Sequence, residues 1–378
     1  MTNKSKLLDL ASKNGTPLLV IDHEIIRNNY NLFCSNLPRV RPYYAIKANP
    51  ESEIVRTMYK MGSGFDVASW EEFMIVYDVV EGNNKKKNQF MNENVIYANP
   101  VKRIDSLKKL NNHFLQMTFD NFIEIEKIAK YCKNSRLIMR VDVPNTGSVV
   151  ELSTKFGAPP ESCIDLIKYA NKMGFKVEGL SFHVGSQCSN FNNYNQAFKI
   201  AHDLFEQSKQ IGNELTILDI GGGFPVPYDD QVPPFEELAK IINNNITQYF
   251  DKPEIKIIAE PGRFLAATSA TSVVEINGKA TRNDKTYYYV NDGVYNTFSG
   301  AIFDHIQYHF KAFKEGDLKD SAVVGPTCDA LDKISLEEKL PDLNVEDLLY
   351  SENVGAYTNA SATHFNGFPP AKILHINT

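Results

Sequence analysis

The sequence predicts an α/β chain: a (β/α)8 TIM-like barrel followed by a second, C-terminal β domain. Three observations predict it. Eight short apolar runs alternate with amphipathic, helix-like stretches between about residues 43 and 262. Each run ends in a polar or glycine-bearing group, as strands do when they carry a site at the C-terminal face of a barrel. After about residue 270 the alternation gives way to β-rich runs separated by turns. At 378 residues the chain has room for one large domain and a smaller one.

The runs fall at 43–49, 64–69, 95–100, 116–120, 136–143, 177–185, 217–223 and 255–262. Their continuous apolar character is that of strands buried on both faces. Amphipathic segments lie between them, among them 70–80, 121–132, 160–173 and 194–211. The stretch 82–93, with three consecutive lysines, is expected as a solvated loop insertion. Four further strands are predicted at 271–276, 286–290, 321–324 and 373–376. The barrel is expected over 22–269 and the β-sheet domain over 270–378 together with 1–21.

Composition narrows the function classes. Hydrophobic residues make up 43% and charged residues 23%, as in an ordinary globular protein. A net charge of -6 argues against nucleic acid as the main partner, because phosphate backbones need a basic face. No run reaches the length of a membrane span, and the first residues lack the apolar core of a signal peptide, so a cytoplasmic protein is expected. The cysteines, Cys34, Cys132, Cys163, Cys188 and Cys328, are odd in number and form no CxxC pair. That pattern implies a reducing compartment and no structural metal.

The polar strand ends carry chemistry. Lys47 closes the first run; a lysine near a buried strand either reaches water or forms a Schiff base. Three consecutive glycines, Gly221, Gly222 and Gly223, close the seventh. They fit a tight turn or a backbone cradle for phosphate, and they exceed what a turn alone needs. The eighth ends in Glu260, with Gly262 and Arg263 close behind. Glu260 suits a protonated ring nitrogen and Arg263 a phosphate; an ordinary Glu–Arg ion pair is the alternative. His183 reads either as a core histidine or as part of the site, and Ser186 as a phosphate donor. A lysine for covalent attachment, a carboxylate for a pyridinium, and glycines with an arginine for a phosphate together describe pyridoxal 5'-phosphate binding.

Beyond these signals, PYYAIKAN at 42–49, GFDVAS at 64–69, SFHVGS at 181–186, DIGGGFP at 219–225, AEPGRF at 259–264, VGPTCDALD at 324–332, GAYT at 355–358 and FNGF at 365–368 occur in this order. In these motifs the chain resembles the eukaryotic-type ornithine decarboxylases, the barrel-fold (fold type III) group of pyridoxal-phosphate enzymes. The resemblance implies that Lys47 holds the cofactor covalently, Glu260 keeps the pyridine nitrogen protonated and His183 stacks on the ring. It gives Ser186, Gly221, Gly222, Gly223, Arg263 and Tyr357 to the phosphate, and Asp66, Arg140 and Gly262 to the rest of the cofactor shell. It also implies a homodimer with shared sites, in which Cys328 returns a proton after CO2 leaves. Asp329 and Asp304 bind the substrate's distal ammonium, and Phe365 packs where the carboxylate departs.

The implied reaction is decarboxylation of L-ornithine to putrescine in polyamine synthesis. Arginine-specific relatives resemble a glutamate-containing variant at the place of Asp304, and lysine differs from ornithine by one methylene. Phe303 stands where many relatives have tyrosine, and Val67 where cysteine is common. The rivals are a lysine/ornithine or arginine decarboxylase, a non-catalytic regulatory homologue, which would lose cofactor or catalytic residues, and a racemase, which GPTCD does not fit.

Overall fold

The computed structural model describes residues 3–148, 154–228 and 232–378. The chain forms two compact units, Tyr30–Gly262 and Met1–Asn29 with Arg263–Thr378. The first strand, β1 (Leu18–Asp22), belongs to the latter.

The unit Tyr30–Gly262 is a closed parallel barrel. Its strands are β2 (Val40–Ala45), β3 (Gly64–Val67), β4 (Val95–Tyr97), β5 (Gln116–Phe119), β6 (Arg136–Arg140), β7 (Val177–Ser181), β8 (Ile217–Asp219) and β9 (Lys256–Ala259). The ring closes at β2, where Tyr43 lies opposite Gly64 of β3 and Val40 opposite Ile257 of β9. Helices join successive strands, so both faces of each strand are covered; β3, β4, β5 and β8 bury every residue. Alternate strands fill the interior, with Tyr43, Ile96, Ile138 and Ile217 meeting Ala98 and Ile258 in one cluster.

The strands are shorter than the apolar runs. β2 stops at Ala45 and β8 at Asp219, and Lys47 sits on a 3-10 turn, Ile46–Ala48, just past the ladder. The terminal groups of the runs leave the sheet because they bond within turns or adopt positive φ, as Gly221 and Gly223 do at +65° and +91°.

The lysine-rich stretch expected as a loop is a helix, Asn84–Asn94. Asn83 caps it, its side chain accepting the Lys86 N–H at 3.1 Å. Lysine is a good helix former, Met91 is buried, and Phe90 meets the Tyr59 ring edge-on at 5.1 Å. A single apolar stripe on a short, strongly polar helix is too faint to read from sequence.

The unit Met1–Asn29 with Arg263–Thr378 is built on a mixed sheet. Its further strands are β10 (Ala270–Arg282), β11 (Lys285–Val290), β12 (Lys311–Ala312), β13 (Lys319–Val324), β14 (Lys333–Leu340), β15 (Leu348–Glu352) and β16 (Lys372–Ile376). β1 joins this sheet between antiparallel β10 and parallel β16. β12, β14 and β15 were not anticipated. In β14 only Ile334, Glu338 and Leu340 are buried among charged neighbours, which weakens the alternation. Among the described residues no helix is long and apolar enough to cross a membrane.

Candidate active site

The groups that follow the barrel strands converge at one end of the barrel. Lys47 Nζ lies 2.8 Å from Asp66 Oδ2, the lysine side chain 44% exposed and the aspartate 1%. A buried carboxylate thus holds an amine that still faces solvent. Just past β3, Ser69 caps the helix Trp70–Val79 by accepting the Glu72 N–H at 3.0 Å. Glu72 reaches back to accept the Ala68 N–H at 2.6 Å, a capping-box arrangement that brings its carboxyl toward Asp66 and Lys47. Burial pushes the Glu72 pKa up to about 7, and Asp66 adds to the rise; the Ala68 N–H and Lys47 oppose it.

His183, past β7, accepts the Gly185 N–H on Nδ1 at 3.0 Å. Burial lowers its pKa, helped by the cations Arg140 and Lys47, so the ring is neutral with its proton on Nε2. Next to it lies the glycine turn. A Cβ on Gly221 would stand 2.1 Å from the Phe182 carbonyl oxygen, and one on Gly223 2.0 Å from that of Gly185. Gly222 abuts the Glu260 carbonyl oxygen at 2.7 Å by the same measure. Asp219 accepts the Gly221 N–H at 2.9 Å and pins the turn. Burial raises the pKa of both Glu260 and Asp219, and their mutual charge and that of Asp66 push Glu260 higher. Burial lowers the Arg140 pKa, while Glu260, Asp120, Asp219 and Asp66 favour its charge.

The unit containing Arg263–Thr378 holds two clusters. In one, Arg263 Nη2 donates to Asp304 Oδ2 at 2.7 Å, with the side chains 6% and 14% exposed, and its guanidinium lies 4.7 Å from the Tyr357 ring centre. Tyr357 is held at φ +58°, a left-handed conformation unusual for an aromatic residue. In the other, the Tyr295 hydroxyl donates to Asp329 and its ring stacks on Phe365 at 4.3 Å. The Cys328 N–H donates to Asn366 Oδ1 at 3.0 Å, and the cysteine is exposed. Bonds from the Leu331 N–H and the Tyr295 hydroxyl lower the Asp329 pKa.

A family model described as "Pyridoxal-dependent decarboxylase, pyridoxal binding domain" matches residues 23–267. The chain is 36% identical to the lysine/ornithine decarboxylase of Selenomonas ruminantium over 97% of its length and 91% of the relative's. It is 38% identical to antizyme inhibitor 2 of Xenopus laevis, covering 93% of this chain and 78% of that one. Mouse ornithine decarboxylase is 37% identical over 90% of this chain and 76% of its own. Among solved structures, the arginine decarboxylase of Paramecium bursaria Chlorella virus bound to agmatine superposes with a TM-score of 0.92, at 29% identity, over 99% of this chain and all of that one (100%).

The chain belongs to the fold type III, pyridoxal-phosphate-dependent basic amino-acid decarboxylase family.

The family's cofactor is pyridoxal phosphate, and the barrel residues fit it. Glu260 Oε1 and Asp66 Oδ1 are buried with no hydrogen-bond partner among the described residues, which suits groups awaiting a cationic ring and an amine. The amine of Lys47 stands in reach of solvent beside them.

The structure refines three sequence inferences. The glycines are already demanded by packing, since three strand ends press backbone to backbone there; their number by itself does not signal phosphate. Asn99 and Asp120, at the ends of the third and fourth runs, already have protein partners: Asn99 accepts the Val101 N–H, and Asp120 accepts the Gly157 N–H and the Asn121 side-chain amide. Glu260 and Arg263 do not form the alternative ion pair, because Arg263 pairs with Asp304.

Lys102 went unnoticed although its side chain is fully buried, where that of Lys47 is half-exposed. Its ammonium donates to the carbonyls of Asn99, Pro100 and Thr118 and pairs with Glu124 at 3.5 Å. Burial pushes its pKa down to about 8, and its bonds tie the segment after β4 to β5 and to the helix Phe122–Tyr131 that follows it. Sequence reasoning also passed over Asp219, Tyr295 and Glu72. For Glu72 the Ser69-x-x-Glu72 spacing was a legible signal.

Proposed function

We propose that this chain decarboxylates L-ornithine to putrescine and CO2, acting as a homodimer with shared active sites in polyamine synthesis. The observation that carries this reading is the barrel end: a solvent-reaching Lys47 held by buried Asp66, with the buried Glu260 carboxyl in the same end. Residues of the named motifs, Lys47, His183, Glu260, Arg263, Cys328 and Asp329, are all present, which supports a catalyst over a non-catalytic relative.

Bound pyridoxal phosphate supplies an electron-accepting ring for the electron pair left by the departing carboxylate. Lys47 holds it covalently, and Asp66 keeps that amine oriented. Glu260 holds the proton on the ring nitrogen. His183 is neutral and offers a ring face without a competing charge. Ser186, Gly221, Gly222, Gly223, Arg263 and Tyr357 hold the phosphate, Gly262 belongs to the cofactor shell, and Arg140 balances the buried carboxyls around the ring. Cys328 delivers a proton to the substrate carbon. Asp329 and Asp304 bind the distal ammonium, and Phe365 offers an apolar surface to the departing CO2. Apolar contact disfavours the carboxylate and not its neutral product.

Asp304 supports ornithine over arginine because a short carboxylate suits a small ammonium, which must replace its water shell at close range. The test is CO2 release by the purified, cofactor-loaded protein from ornithine, lysine and arginine. Preference for ornithine is expected; preference for arginine overturns the substrate assignment, and no release from any of the three overturns the enzyme.

A further inference from the structure

Arg263 and Asp304, proposed as ligands of the phosphate and of the distal ammonium, bind each other. The pair is short, 2.7 Å, and largely withdrawn from water. It is also doubly supported. Tyr357 lies against the guanidinium at 4.7 Å, and Asp304 sits at the end of the short helix Gly300–Phe303, its N–H donating to Gly300 at 3.0 Å. The guanidinium is a planar fork of five N–H groups, a geometry that suits a phosphate as well as a carboxylate. We propose that Arg263 and Asp304 are a charge-exchange pair that couples phosphate binding to binding of the substrate's distal ammonium, so that each ligand tightens the other.

The inference rests on the proposed roles of these two residues as phosphate and ammonium ligands. Its physics is competition for charge. While Asp304 neutralises Arg263, an arriving phosphate meets a spent cation and a nearby anion. While Arg263 neutralises Asp304, an arriving ammonium meets a spent anion. When both ligands are present, guanidinium faces phosphate, carboxylate faces ammonium, and each buried charge keeps an opposite partner. The coupling is reciprocal: whatever factor the ammonium confers on phosphate affinity, phosphate confers on ammonium affinity.

The experiment uses the full chain stripped of cofactor. The probes are pyridoxine 5'-phosphate, which has the ring and phosphate but no aldehyde to react with amines, and putrescine as the ammonium. Calorimetric titration gives the Kd of each with and without the other at saturation. The wild type is expected to bind pyridoxine 5'-phosphate at least about fivefold more tightly with putrescine present, and putrescine more tightly by the same factor. Asp304→Asn keeps an acceptor for the Arg263 N–H but removes the charge. It should bind pyridoxine 5'-phosphate more tightly than wild type, bind putrescine more weakly, and show no coupling. If the wild type binds both probes independently, or Asp304→Asn keeps the full coupling, the exchange is overturned while the site assignments stand. If Asp304→Asn binds putrescine as the wild type does, or Arg263→Gln binds pyridoxine 5'-phosphate as the wild type does, the assignments themselves fall, and the exchange with them.

Discussion

The barrel end and the Cys328–Asp329 turn carry the same kinds of group under opposite conditions. In the barrel, carboxyls are buried, and burial raises the pKa of Glu72, Asp219 and Glu260. At the turn, Asp329 is only partly buried, and bonds from Leu331 and Tyr295 lower its pKa. Cys328 beside it is exposed, and the Phe365 side of the cluster is 39% open. The barrel is therefore prepared to hold a proton and a cofactor. The turn offers a thiol, a carboxylate and an aromatic surface, the groups proposed above to act on the substrate.

The largest expected effect tests the barrel half. Lys47→Ala should abolish the cofactor's covalent attachment and lower activity by more than the 10²–10⁴-fold typical of losing a proton-transfer group. Borohydride reduction followed by denaturation reads the attachment directly; cofactor still bound to Lys47→Ala protein would show that another amine carries it.

The next tests whether the two halves belong to different chains. Cys328→Ala should cost roughly 10²–10⁴-fold by removing a proton donor. Mixing it with Lys47→Ala should then restore up to about a quarter of wild-type activity, because each heterodimer contains one intact site. No recovery after verified subunit exchange would mean that both halves act within one chain.

Specificity should respond on a smaller scale. Asp304→Glu adds one methylene to the carboxylate arm, a change worth about 1–3 kcal/mol. The ratios of kcat/KM among ornithine, lysine and arginine should shift, with ornithine losing most. Equal losses for all three would remove Asp304 as the selector.

The smallest effect sharpens the electrostatic contrast. The Glu72 carboxyl has its folded pKa raised from 4.5 to about 7, so the folded protein holds this proton more tightly than the unfolded chain. Its stabilising contribution is present below the unfolded value and is lost as pH rises through the folded one. Glu72→Gln should therefore flatten the decline in Tm between roughly pH 4.5 and 7 relative to wild type. Asp329→Asn should act in the opposite sense: the wild-type contribution is present above the unfolded carboxylate pKa and lost as pH falls through the lowered folded one. Parallel thermal melts from about pH 2 to about pH 8 check both, with the Asp329 difference expected below the ordinary carboxylate range.

Much was legible without coordinates. The eight apolar runs, spaced by amphipathic segments, dictate a barrel because a strand buried on both faces needs a covering helix. Lys47 and Glu260 stood out because their residue types are costly or unusual in their settings, and local sequence carries that signal; the GPTCD turn was legible only through the family resemblance. The partners of these groups were not legible. Arg263 and Asp304 are 41 residues apart, Tyr295 and Asp329 are 34 apart, and Lys102 meets Glu124 across 22. No local pattern encodes such pairs. The packing of the glycine turn against the carbonyls of Phe182, Gly185 and Glu260 was equally hidden, and it changes why those glycines are there. Sequence alone determined the fold class and the chemical types at the strand ends, since periodicity and residue identity are local properties. Tertiary structure decided which charges neutralise one another, because pairing and desolvation depend on distances that only the folded chain sets.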